Sequence, residues 1–288
     1  MKKMIPKILG SYLNLTAPLF PKLSREHAFK ILCYVKRTPL SEAGKQFVET
    51  ADTQFLEVPD SPVALHSWGH GPKNILFLHG WKSHSKRWQP YLAELNPEEY
   101  TLYSIDAPAH GFSPGNQLNL EMYRQAVALA LEEIGSIDCL IAHSLGSLVT
   151  AYTYLENPEI DVKRYVIMGA PEGMQSIFDY FQDLLSLSDR TMTNLHKKIE
   201  PILKLPAEAI TMKNFFEIVQ APTLVIHEKS DMVTPFAPIQ QAVQNQENIE
   251  TFFTEGQDHN LTEEETLTKI FDYLTSTKIK ESYVSERI

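Results

Sequence analysis

The sequence predicts an α/β fold, a mostly parallel central sheet with helices on both faces. Short continuous apolar runs bounded by turn residues recur along the chain, as in strands buried on both sides. Amphipathic patterns of helical period lie between most of them, and strand–helix alternation is the signature of a parallel sheet. With 288 residues, 43% hydrophobic and 22% charged, the chain is long enough to bury such a core without a metal or disulfide staple.

The first fifty residues read as helical. Ile5, Ile8, Leu9, Tyr12 and Leu13 form one stripe, and Ala28, Ile31, Leu32 and Val35 form a second. A third helix after Thr38-Pro39 carries Phe47 and Val48 inward. Lys2, Lys3 and Lys7 flank the first stripe, as in helices that lie on a membrane surface. Packing on the chain's own domain or on a twin subunit is the expectation preferred here.

From residue 53 the pattern turns to strands. Thr53–Val58 and Pro62–Trp68 read as an antiparallel pair joined at Pro59-Asp60-Ser61. Asn74–His79, Tyr100–Ile105, Asp138–His143, Tyr165–Met168, Thr223–His227 and Ile249–Thr254 follow as further strands. Leu120, Tyr123, Val127, Leu131 and Ile134 mark one intervening helix. A Thr262…Glu265 capping box opens the last, with the stripe Leu267, Ile270, Phe271 and Leu274. The alternation breaks between Ala170 and Ala221, where three helical stripes carry Phe181 and Leu184, Leu195 and Ile199, and Phe215 and Phe216. The expected division is an N-terminal helical segment (1–52), a core (53–170 and 221–278), a small helical cap (171–220) and a polar tail (279–288).

Charge and cysteine usage exclude several function classes. A net charge of −10 with no basic run argues against nucleic acid as a partner. Cys33 and Cys139 stand in no metal or redox spacing and read as buried free thiols of a reducing compartment. Pro6, Lys7 and Asn14 interrupt the start of the chain, which does not read as a signal peptide, and a cytoplasmic location is expected.

The chemistry concentrates in Leu140–Ser147, LIAHSLGS, where an apolar strand runs into a helix across Ser144. A serine in such a turn projects its hydroxyl above the sheet, and small residues must flank it because the backbone packs closely. Ala142 stands where the first glycine of G-x-S-x-G is usual, Gly146 supplies the second, and Ser147 follows. A serine hydroxyl needs a base held by an acid, and at an elbow of this kind acid and then histidine follow on later loops. His259, after the last strand, suits the base; His227 precedes the acid and fits that order badly. Asp231 suits the acid, with Glu228 and Asp258 as competitors. The backbone N–H groups of Leu145 and Trp81, the latter after His79-Gly80, suit an oxyanion hole.

Four loops in order, HGW (79–81), DAPAHGFS (106–113), AHSLG (142–146) and the Asp231/His259 pair, make residues 53–275 resemble the α/β-hydrolase superfamily. The resemblance implies that Asp106, His110 and Ser113 build a structural turn. It also implies a serine hydrolase without cofactor or metal, acting on a small or medium acyl ester. Thioester, lipid and peptide bonds stand as alternatives on the same residues, as does a non-catalytic binding protein. Phe178, Phe181, Phe215 and Phe216 favour apolar groups if they line a pocket, and Glu172, Asp179 and Asp183 are the amine-binding candidates of a peptidase.

Overall fold

The computed structural model describes residues 4–59 and 61–276. Lys2, Lys3, Asp60 of the expected turn and the expected tail 279–288 lie outside them. Eight strands form one sheet: β1 (Asp52–Leu56), β2 (Val63–Gly69), β3 (Lys73–Leu78), β4 (Tyr100–Ile105), β5 (Cys139–His143), β6 (Tyr165–Met168), β7 (Thr223–Glu228) and β8 (Ile249–Thr254). Their spatial order is β1-β2-β4-β3-β5-β6-β7-β8. β2 pairs antiparallel with β1 and β4, and every other pairing is parallel.

β5, β6 and β7 are buried along their whole length, which is why they read as unbroken apolar runs. Alternate residues of β3 serve two cores. Leu76 and Leu78 face α5 (Leu120–Ile134) and α6 (Leu145–Glu156), whereas Ile75 and Phe77 meet Trp88, Tyr91 of α4 (Gln89–Glu94) and Ile270 of α11 (Glu264–Thr275). From β3 the chain steps to β4 on one side, and from β5 to β6 on the other. Strand order therefore reverses between β3 and β5, leaving a crevice at their carboxyl ends.

Between β6 and β7 lie α7 (Met174–Leu185), α8 (Asp189–Ile199), a short 3-10 turn and α9 (Met212–Ile218); α10 (Phe236–Ala242) follows β7. The N-terminal helices α1 (Met4–Leu19) and α2 (Pro21–Cys33) pack against α7 and α8, while α3 (Glu42–Val48) sits apart with Val48 buried. A Cβ on Gly10 would lie 1.7 Å from the Leu185 carbonyl oxygen, so only glycine permits this approach of α1. Asn14 stitches the contact: its amide N–H donates to Ser186 O at 2.9 Å. Its carbonyl accepts from Ser188 N and Thr191 Oγ1, each at 2.8 Å.

Three expectations change. α1 buries Gly10, Leu13 and Ala17 and turns Ile5, Ile8 and Tyr12 outward, because its small residues are what fit the close approach to α7. The Thr262…Glu265 capping box does not form: α11 starts behind Glu263 with no side-chain cap. Leu184 is exposed rather than part of the buried stripe of α7.

Candidate active site

Ser144 occupies the turn from β5 into α6 with φ 54° and ψ −119°, a left-handed strain that lifts its side chain out of the strand. Two glycines make that turn possible. A Cβ on Gly146 would lie 2.3 Å from Leu78 O, and one on Gly80 would lie 2.8 Å from the Ser144 Cβ. The loop after β3 thus passes directly against the serine. Ser147, where a glycine is frequent, donates its hydroxyl to the carbonyls of Ala142 and Met168 at 3.0 and 3.1 Å and ties β5 to β6.

His259 Nε2 lies 2.9 Å from Ser144 Oγ, and its Nδ1 lies 2.7 Å from Asp231 Oδ2. These three groups come from loops after β5, β7 and β8, all at the carboxyl edge of the sheet. Asp231 Oδ1 accepts from Val233 N and Thr234 N at 2.7 and 3.0 Å. Burial pushes the Asp231 pKa up, but the bond from His259 and the Thr234 and Val233 amides outweigh it. The carboxyl is held well below the usual range. An ionised Asp231 only accepts, so His259 Nδ1 carries a proton and the Nε2 lone pair faces the serine hydroxyl.

The competitors serve elsewhere. Glu228 takes Gly256 N and Gln257 N at 3.2 and 3.0 Å, and Thr254 Oγ1 at 2.8 Å. Burial raises its pKa, but hydrogen bonds led by Ser230 bring it down to about 2. It fastens the loop that presents His259. Asp258 caps Asn260 N at 2.7 Å on the surface. His227 Nε2 donates to Thr234 O at 2.9 Å.

Leu145 follows Ser144 as the first residue of α6, Trp81 follows Gly80 on the loop that passes against Ser144, and neither backbone N–H donates to another group among the described residues. The Trp81 loop is braced from below. Tyr123 OH donates to His79 O at 3.0 Å, and Lys82 N donates to His110 Nε2 at 3.0 Å. Asp106 anchors the 106–113 turn through Ser85 N, Phe112 N and His66 Nε2. Gly111, at φ 45°, leaves room for that carboxylate, since a Cβ there would sit 1.9 Å from Asp106 Oδ2.

Several supporting residues carry no signal in the sequence. Thr234 Oγ1 lies 2.9 Å from Asp231 Oδ2 and 3.2 Å from Gly169 O, joining the loops after β7 and β6. His143, the variable residue of the elbow, donates from Nε2 to His259 O at 2.8 Å. Burial first, then Arg87 and His259, drive its pKa well below the ordinary imidazole range. Arg37 reaches from the N-terminal segment to Ser113 O at 2.9 Å.

Phe178, Phe181, Phe215 and Phe216 are all buried, and Phe215 packs edge-on against Tyr154 and Tyr165. They are core, not pocket lining, so the expected preference for apolar groups loses its basis. Glu172, Asp179 and Asp183 are exposed. Among the described residues, no group of three or more His, Cys, Asp or Glu could hold a metal ion, and Cys33 and Cys139 are buried free thiols.

This sheet order, with a strand–Ser–helix elbow at the switch point, defines an α/β-hydrolase fold. Residues 75–216 match the model of the Alpha/beta hydrolase family, which places the chain in that superfamily. Solved structures agree on the fold. The esterase EaEST of Exiguobacterium antarcticum aligns with TM-score 0.59 at 15% identity, over 78% of this chain and 100% of that one. A thioesterase domain from the curacin biosynthetic pathway gives 0.56 at 16%, over 78% and 99%. Among curated relatives, a pimeloyl-[acyl-carrier protein] methyl ester esterase of Pseudoalteromonas atlantica is 31% identical over 148 residues, 48% of this chain and 54% of that protein. The acetyltransferase component of an acetoin cleaving system from Cupriavidus necator is 29% identical over 58% of this chain and 44% of its own length. The chain thus spans about half the length of the first curated relatives it matches.

Proposed function

We propose that the protein is a serine hydrolase, a carboxylesterase acting on a small or medium acyl ester. The observation that carries this reading is the line Ser144 Oγ–His259 Nε2–His259 Nδ1–Asp231 Oδ2, with contacts of 2.9 and 2.7 Å. Ser144 Oγ attacks the ester carbonyl carbon while His259 Nε2 takes its proton. Asp231 holds the ring in the required tautomer and stabilises the imidazolium. The N–H groups of Trp81 and Leu145 receive the oxyanion, each contributing ~3 kcal/mol to the transition state. His259 then protonates the departing alcohol, and water, deprotonated by the same nitrogen, releases the acid and restores Ser144. The ester, rather than the thioester or amide, follows the relative named as a methyl ester esterase.

A fluorophosphonate probe tests the nucleophile directly. The adduct is expected on Ser144 by mass spectrometry, absent from Ser144→Ala and strongly reduced in His259→Ala. A folded wild-type chain that takes no label, or takes it on another residue, removes the reading.

A further inference from the structure

α1 turns its small-residue face to α7 and α8, and its opposite face is exposed apart from Tyr12, which stacks on His27 of α2. There Ile5, Ile8, Leu15 and Leu19 are 60%, 62%, 73% and 73% exposed, with Tyr12 between them. Steps of three and four residues align them into a single stripe about 21 Å long. Phe20 and Leu23, also exposed, carry the apolar surface around the corner into α2. Single exposed apolar residues are ordinary, but a continuous row of this kind marks a surface that is covered in use.

Charge selects the occupant. Residues 1–37 hold eight Lys and Arg against one acid, Glu26, in a chain of net charge −10. Glu26 is already paired with Lys198 at 3.0 Å. Lys7 of α1 and Lys22 of α2 stand exposed. A second copy docked here about a two-fold axis would set these like charges against one another. An anionic lipid surface meets both requirements at once. We infer that the α1–α2 hairpin is a membrane-binding face. It lays its stripe at the headgroup boundary of an anionic bilayer, with Lys7 and Lys22 on lipid phosphates. The attachment is peripheral, since no helix among the described residues is long and apolar enough to cross a membrane. It is independent of the reaction at Ser144.

Flotation of the full chain reads the binding without turnover. Vesicles of phosphatidylglycerol and phosphatidylcholine in equal parts are compared with phosphatidylcholine alone. The wild type is expected to float with the anionic vesicles and to be released by high salt. Leu15→Ser with Leu19→Ser, and separately Lys7→Glu with Lys22→Glu, are each expected to lower the partition about tenfold or more. Melting curves verify that each variant stays folded, because all four side chains are exposed. Equal partition of wild type and both variants overturns the inference, as does equal binding to uncharged vesicles. A wild-type dimer in light scattering that the leucine variant splits would make a second copy the occupant and overturn it too.

Discussion

At the scale of single residues, the reach of Asp231 decides whether His259 can act as a base. Its Oδ1 takes two backbone N–H groups, and its Oδ2 faces His259 Nδ1. In Asp231→Asn the amide oxygen must occupy the Oδ1 position, because both donors there are backbone and cannot turn away. The amide N–H₂ is then aimed at Nδ1, which forces the proton onto Nε2 and points a donor at Ser144. We expect kcat for a soluble ester to fall ~10,000-fold with little change in KM. A loss below about tenfold would mean that the tautomer does not limit the reaction. Ser144, His259 and Asp231 are legible in the sequence because each follows an apolar strand run, so the loop and the residue type are visible together. Thr234 and His143 are not, since each acts through a carbonyl or a carboxylate brought near only by the fold.

Among the elements, the strands are the most legible, whether buried throughout like β6 or largely open like β8. β4, β6 and β8 coincide with their apolar runs residue for residue. α1 shows the opposite case. It is apolar on two faces, so periodicity finds the helix and cannot choose the inward side. The choice is made by Gly10, whose missing Cβ admits the Leu185 carbonyl, and by Asn14, whose amide joins α1 to the α7–α8 corner. The close packing of α1 therefore depends on a polar residue that a hydrophobic pattern ignores. Asn14→Ala removes one donor and two acceptor contacts, strands Ser188 N and leaves the Thr191 hydroxyl only Ser188 Oγ at 3.0 Å. We expect a stability loss of about 1–2 kcal/mol in urea titrations. The change should also open α1 locally, read as faster amide exchange over residues 4–19 than over β5. Equal exchange in variant and wild type would mean that apolar packing alone holds the helix.

For the whole molecule, the histidines dominate the response to acid. Five of the ten, His79, His84, His110, His143 and His227, are held below the ordinary imidazole pKa, burial being the first cause in each. His79 is brought to about 3. These rings brace the loops after β3, β4, β5 and β7 as neutral groups, whereas the unfolded chain protonates them near pH ~6.5. Below that pH the unfolded state binds more protons than the folded one, so stability falls as pH falls. Each proton of difference contributes about 1.4 kcal/mol per pH unit. Asp106, Asp231 and Glu228 add to the same direction lower down. Their carboxyls are depressed in the fold despite burial, by hydrogen bonds led by His66, His259 and Ser230, and their contribution is lost below pH ~4. The unfolding free energy should therefore decline steadily from pH 7 to pH 5, where ordinary carboxylate-driven acid unfolding has barely begun, and steepen below pH ~4. Urea titrations across that range read the slope. Calorimetry in buffers of different ionisation enthalpy reads the protons taken up on unfolding at pH 5.5, expected to be about two or more. A flat profile between pH 7 and 5 would show that the buried rings exchange protons as freely folded as unfolded. The neutral scaffold of histidines behind the Ser144 loops would then have to be abandoned.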